Sequence, residues 1–252
     1  YYTGFKVNSG EYKVMGLAPY GQPRYAQRIL DNLVDVKADG SFRLDLDYFD
    51  YCAGLTMTGE KFHRLFGAAP RRPEDRLTQE HMDLAASVQA VTEEIVLRLC
   101  RSIAAETGQR RLCMAGGVAL NCVANGKILR DGCFDEIWIQ PAAGDAGGAL
   151  GAAYVGHHMF AGRSRPSPTG DAMRGAYLGS AWGQADIEHR LTLAGAQFDV
   201  VSDDELYRDC AAALAGGSAL GWFQGRMEFG PRALGGRSIL ADPRSPAMQK
   251  LS

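Results

Sequence analysis

Residues 111–154 read RLCMAGGVALNCVANGKILRDGCFDEIWIQPAAGDAGGALGAAY, and this stretch decides the fold. Two apolar runs, 111–115 and 135–140, each break at a glycine turn, and each turn opens a helix-like stretch, at 118–130 and 146–160. The runs read as buried strands, and strands alternating with helices of this length predict α/β layering. The first turn holds Gly116 and Gly117 with Asn121 behind them; the second sets Asp145 between Gly144 and the pair Gly147 and Gly148. Glycine lets backbone approach a ligand closely, and a following helix aims free N–H groups and a positive dipole end at an anion. The pattern predicts a cleft for a phosphorylated ligand, with Asp145 on its lip.

Neither turn carries a familiar nucleotide signature. A P-loop needs Gly-Lys followed by Ser or Thr, yet Gly126-Lys127 is followed by Ile128. Gly144, Gly147, Gly148 and Gly151 do not fit G-x-G-x-x-G. Spacing alone leaves phosphate binding and tight strand–helix packing equally open. Asp145, at the C-terminal end of a strand, is where open α/β folds place ligands. It is read as a hard oxygen donor to a metal or as a helix N-cap, or both.

Upstream, residues 1–25 are turn-rich and contain EYKVMGLAPYG at 11–21, grouped around Lys13. The alternation from Val34 to Asp47 about Ala38-Asp39-Gly40 predicts a hairpin. Residues 56–79 are read as irregular, with an exposed loop at Pro70–Pro73. The longest helix is expected over 80–107, where Leu84, Val88, Val91, Ile95, Leu99 and Ile103 recur every three or four positions before Gly108. Downstream, Arg163–Gly170 has linker composition, with Ser164, Pro166, Ser167, Pro168 and Gly170. Helices are expected at 184–195 and 203–215, and a short strand at 218–223.

The 252 residues carry a net charge of −2, which excludes a global basic field for nucleic acid or membrane surfaces. No apolar run approaches a membrane span and no signal-peptide pattern opens the chain, so a soluble, cytoplasmic protein is expected. The six cysteines form no C-x-x-C pair and are read as reduced residues filling the core. His157 and His158, adjacent and late in a helix, are read as surface or capping residues.

The segment GRMEFGPRALGGRS at 225–238 interleaves Arg226, Arg232 and Arg237 with Gly and Pro. Guanidinium forks on such a loop suit a bidentate grip on phosphate or carboxylate. A merely solvated loop fits less well with Phe229, Leu234 and Ile239 between and beside the charges.

Taken together, EYKVMGLAPYG at 11–21, AGGVALNC at 115–122, QPAAGDAGGALGAA at 140–153 and GWFQGRMEFGPRALGGRSILADPR at 221–244 resemble the O-carbamoyltransferases of the NodU/CmcH type. The resemblance implies an actin/Hsp70-type (ASKHA) ATPase-like half-domain, akin to the TsaD proteins that modify tRNA, followed by the start of a YrdC-like α/β domain. Its implied layout is a C-terminal portion of the carbamoyl-transfer domain at 1–162, connecting elements at 163–200, and a truncated carbamoyl-adenylate-forming part at 201–252. Carbamoyl phosphate and ATP would yield carbamoyl-adenylate, from which the carbamoyl group passes to a hydroxyl of a small-molecule natural product. Gly116, Gly117 and Asn121 would contact the nucleotide, and the Gly144 and Gly148 backbone its phosphate. Lys13 lies on the nucleotide side. Asp145 would bind a divalent metal, Fe2+ being the implied ion, with Mg2+ accompanying ATP. Arg226, Arg232 and Arg237 would hold carbamoyl phosphate or the ATP phosphates.

The chain reads as a piece of a larger protein. The paired histidine ligands and the remainder of the YrdC-like part are not found in it, so the isolated piece is expected to be inactive. Related enzymes act on aminoglycosides, cephalosporins, ansamycins, coumarin glycosides and chito-oligosaccharides, and neither the acceptor nor the general base is readable. Two other readings remain: a TsaD-like tRNA threonylcarbamoyladenosine-type enzyme and a non-catalytic ASKHA nucleotide-binding module.

Overall fold

Helix α4, Gln79–Thr107, organises the first half of the chain. Its start is fixed by a capping box in which Thr78 and His81 satisfy each other's end of the first turn, and Gly108 closes it in the left-handed region. In this computed structural model, which describes residues 1–167 and 169–250, the chain divides into two compact units, Tyr1–Ile139 and Gln140–Ser252. The linker residue Pro168 lies outside the described residues, as do Leu251 and Ser252.

In the first unit α1 (Glu11–Leu17), a 3₁₀ turn Ala18–Tyr20 and α2 (Ala26–Asn32) pack on α4. β1 (Val34–Val36) and β2 (Phe42–Leu44) form the expected antiparallel hairpin. The turn-rich stretch 1–25 and the irregular stretch 56–79 are in part helical, at α1 and at α3 (Glu60–Phe66). Both are seven residues long, too short to display a periodicity. α3 is held because Phe62, Leu65 and Phe66 pack into a cluster with Tyr2, Ile29, Leu33, Val34, Tyr48, Leu84 and Val91. The Pro70–Pro73 loop is exposed only in part, since Arg71 folds back and its Nε donates to Thr3 O at 2.7 Å.

α4 does not present a single apolar stripe. Leu84 and Val91 are buried, but Val88 and Ile103 are exposed, and Asp83, Ser87, Gln89 and Glu93 are buried in their stead. These polar groups answer backbone amides and side chains of elements lying on the helix. Ser87 Oγ accepts from Tyr25 N at 2.9 Å, and Asp83 Oδ1 accepts from Gln22 N at 2.8 Å and Gln79 Nε2 at 3.0 Å. Arg24 Nε lies 3.4 Å from Asp83 Oδ2. The Gln22 and Gln79 donors, helped by Arg24, hold the Asp83 carboxyl below the usual carboxylate range. A depressed folded pKa means that this stabilisation is complete above the unfolded value and is lost as pH falls through the folded one. The melting-temperature gap between wild type and Asp83→Asn should therefore be constant above about pH 5 and shrink below about pH 4. Thermal unfolding followed against pH checks it; a gap that widens in acid would contradict the linkage.

β3 (Arg111–Met114), a 3₁₀ turn Gly117–Leu120, α5 (Cys122–Asp131) and β4 (Glu136–Ile139) complete the unit as a β–α–β crossover. The strands are parallel, with Arg111 opposite Glu136 and Met114 opposite Ile139. They are half-buried rather than buried. Leu112, Met114 and Ile137 pack on the Cys100, Ile128 and Phe134 cluster, while Cys113 and Trp138 face outward, because α4 and α5 cover only one side. Core filling holds for Cys100, whose thiol burial pushes up to about 11, but Cys52, Cys113 and Cys122 are exposed.

The second unit contains α6 (Asp145–Val155), which runs into a π-helical turn Gly156–Phe160, α7 (Gln184–Leu193) and α8 (Asp203–Ala215). β5 (Leu220–Phe223) pairs antiparallel with β6 (Arg237–Leu240), Phe223 opposite Arg237. β6 begins at the end of the arginine segment, where no strand was expected. α6, α7 and α8 bury none of their residues. The fold is α/β, with small two-stranded sheets. No described helix is long and apolar enough to cross a membrane.

Candidate nucleotide turns and arginine loop

The first glycine turn belongs to the first unit. Gly116 lies at φ +98° and ψ 160°, a region essentially closed to side chains, where it swings the chain from β3 into the 3₁₀ turn. Gly117 has no such constraint, and a Cβ built there meets nothing within 4 Å. Asn121 is the N-cap of α5, its Oδ1 accepting from Ala124 N at 3.2 Å. Its amide also exchanges two bonds with buried Gln89: Asn121 Nδ2 donates to Gln89 Oε1 at 2.9 Å, and Gln89 Nε2 donates to Asn121 Oδ1 at 3.1 Å. Gln89 Nε2 donates further to Glu93 Oε1 at 2.8 Å, and Glu93 Oε2 receives Lys127 Nζ. The spacing that singled out Asn121 gave no sign of this network. Gln89 and Glu93, one helical turn apart beside an otherwise apolar stripe, were its only trace in the sequence.

The second turn belongs to the second unit. Gly144, not Asp145, is the N-cap of α6, so the capping reading of Asp145 is corrected: it is the first helical residue and its side chain makes no cap bond. Its negative charge in the first turn still complements the helix dipole. Asp145, Ala146 and Gly148 are exposed. Gly144 and Gly148 again leave open space where a Cβ would stand. Gly147 does not, since its Cβ would fall 2.0 Å from Ala142 O.

Among the described residues, no group of three or more His, Cys, Asp or Glu gathers where a metal could be held. An iron or magnesium ion needs several donors. Asp145 alone does not fit one, and no chemical step is assigned to a metal. His157 and His158 are not near-ligands but a surface pair, with His158 Nδ1 2.9 Å from Arg163 O. Lys13 projects from α1, exposed, with Nζ 6.0 Å from the Tyr12 ring centroid.

The arginines divide into different roles. Arg226 is exposed and donates Nη1 to Gly179 O at 2.6 Å. Arg232 is half-buried. Arg237 is turned inward: its Nε lies 3.2 Å from Glu228 Oε2, and its Nη2 donates to Gly230 O and, at 3.4 Å, to Arg232 O. The segment around Ala176–Ser180, read as part of a connection, is zipped to this loop. Phe229 N donates to Ala176 O at 2.7 Å, Met227 N to Ser180 O and Gly179 N to Met227 O, both at 2.9 Å.

The family described as "Carbamoyltransferase N-terminus" matches residues 1–154, and "Carbamoyltransferase C-terminus" matches 211–251. An uncharacterized protein of Synechocystis sp. is 59% identical over 253 residues, covering 100% of this chain and 41% of its own length. The nodulation proteins NolNO of Sinorhizobium fredii and NolO of Bradyrhizobium diazoefficiens are each 42% identical over 241 residues, or 95% of this chain and 33% and 41% of their own lengths. The chain thus spans about two fifths or less of these relatives. The first family match contains Lys13 and both glycine turns, the second contains Arg226, Arg232 and Arg237, and the chain belongs to the carbamoyltransferase family.

Proposed function

We propose that the chain is the nucleotide-facing part of an O-carbamoyltransferase that moves a carbamoyl group from an ATP-derived carbamoyl-adenylate to a hydroxyl of a small molecule. The supporting observation is the set of open glycines. Gly117 and Gly148 do not lie at positive φ and have room for a side chain, so the chain's own packing does not require glycine there. Glycine inside a helix costs about 1 kcal/mol relative to alanine. A residue that is conformationally unneeded and locally unfavourable fits a site where something else comes against the backbone. Each turn, taken by itself, suits an anion, since each opens a helix whose first-turn N–H groups lack intrahelical partners.

In the transfer, the acceptor hydroxyl oxygen attacks the carbamoyl carbon and gives up its proton to water, the bond to the adenylate oxygen breaks, and AMP leaves with the electron pair. N–H groups at the Gly144–Gly148 turn would favour that anionic leaving group. Arg226 and Arg232 suit the phosphate charge of carbamoyl phosphate, the proposed source of the carbamoyl group. The larger architecture proposed is ATPase-like of the ASKHA type, continuing into a YrdC-like part. Balanced charge favours a small acceptor over tRNA.

The test uses the full-length protein. Pyrophosphate release from ATP should require carbamoyl phosphate, and mass spectrometry with a panel of hydroxylated acceptors, chito-oligosaccharides included, should find a product heavier by one carbamoyl group. Release that ignores carbamoyl phosphate, or carbamoylation of tRNA in place of every small acceptor, would overturn the proposal.

A further inference from the structure

The loop between β5 and β6 is fastened from within. The Glu228 side chain is 0% exposed, and its Oε1 accepts from Leu234 N at 2.8 Å and Gly236 N at 2.7 Å. Its Oε2 faces Arg237 Nε at 3.2 Å, as an ion pair without a well-aligned hydrogen bond. The same guanidinium donates to Gly230 O. A buried carboxylate therefore holds an arginine, and the arginine holds two carbonyls of the loop, those of Gly230 and Arg232. Losing the arginine's charge would leave the buried Glu228 carboxylate uncompensated.

Gly230 is the point where the loop meets the second glycine turn. It lies at φ +116°, and a Cβ on it would stand 2.5 Å from Pro141 O and 3.1 Å from Ala142 Cα. Pro141 and Ala142 lead directly into Gly144 and α6, and Ala142 is 0% exposed. Ala142 O in turn lies 2.0 Å from the position of a Cβ on Gly147. Backbone thus rests on backbone in sequence: Gly230 on Pro141 and Ala142, and Ala142 on Gly147. Only glycine permits either contact, because no side chain is interposed that could give way.

The geometry points to Glu228 and Arg237 as positioning residues, which hold Gly230 against Pro141–Ala142 and thereby set the Gly144–Gly148 turn. Arg237 directs Nε and Nη2 onto the loop itself. The consequence for catalysis rests on the proposal above, that this turn receives the nucleotide. The mechanical coupling does not.

The experiment measures amide hydrogen exchange and steady-state kinetics of the full-length protein carrying Arg237→Lys, Glu228→Gln or Gly230→Ala. Lysine keeps the charge opposite Glu228 but loses the fork that reaches Gly230 O. In Arg237→Lys the amides of Gly147 and Gly148, which bond Gly144 O at 3.1 and 3.2 Å, should exchange about tenfold faster, while β3 and β4 amides stay unchanged. KM for ATP should rise by about tenfold to a hundredfold, more than kcat falls. Glu228→Gln, which keeps an acceptor for the two amides, should be milder than Arg237→Lys. Should Gly230→Ala fail to fold, Arg237→Lys carries the test. Faster exchange confined to 225–237, with 144–148 unmoved, would overturn the inference, as would a raised KM without any change in exchange. Faster exchange at 144–148 in a protein whose activity never depends on ATP would support the coupling and sink the nucleotide reading alone.

Discussion

Gly21→Ala should destabilise the protein by about 3 kcal/mol, lowering its melting temperature by roughly 10 °C. The reason is space, not conformation. Gly21 is extended, at φ −112° and ψ 176°, which any residue adopts. A Cβ there, however, would lie 2.0 Å from Met82 O, 2.2 Å from Met82 C and 2.6 Å from Asp83 N. All three atoms belong to the backbone of α4, which is the longest helix of the chain and cannot step aside at one residue. The turn would have to lift, taking Gln22 N away from Asp83 Oδ1 and loosening Leu17 and Ala18 from Ala85. Differential scanning calorimetry of the full-length protein would read the shift. A change of less than about 2 °C would mean that the turn does not rest on the helix as described.

Gly148→Ala should do the opposite to stability and far more to activity. Replacing an interior helical glycine with alanine at an open position gains about 0.5–1 kcal/mol. Among the described residues, and apart from the helix's own adjacent backbone, nothing lies within 4 Å of the new methyl group. If the Gly148 backbone lies against a nucleotide phosphate, the methyl group stands in the ligand's place, and KM for ATP should rise by about tenfold or more. The neighbour supplies the control. Gly147→Ala clashes with Ala142 O at 2.0 Å and should lower stability. A stabilised Gly148→Ala enzyme with an unchanged KM would remove the support that the open glycines lend to the proposed function.

Much of the architecture was legible because it depends on local patterns. The α4 segment showed its apolar recurrence and its closing Gly108; the 111–140 stretch showed two β-rich runs separated by a helix-length segment; the hairpin showed alternation about Gly40. α1 and α3 were missed because seven residues do not reveal a period, and α3 depends on Phe62 and Phe66 reaching Tyr2, which sequence spacing does not report. β6 was missed because arginines and glycines dominated the reading of its surroundings, whereas its pairing with β5 is a long-range event.

The candidate site divides along the same line. From the residues alone came the two glycine turns, the acid at 145, the arginine segment and the likeness to the carbamoyltransferases, since close backbone approach demands glycine and bidentate anion contacts favour arginine wherever the chain goes. Tertiary structure alone distinguished the glycines that the fold itself needs, Gly21, Gly147 and Gly230, from those it leaves open, Gly117, Gly144 and Gly148. It alone put Gln89 behind Asn121 and turned Arg237 onto Glu228. A guanidinium is equally suited to a ligand's phosphate and to its own loop's carboxylate and carbonyl, and which it meets is decided by where the chain folds back.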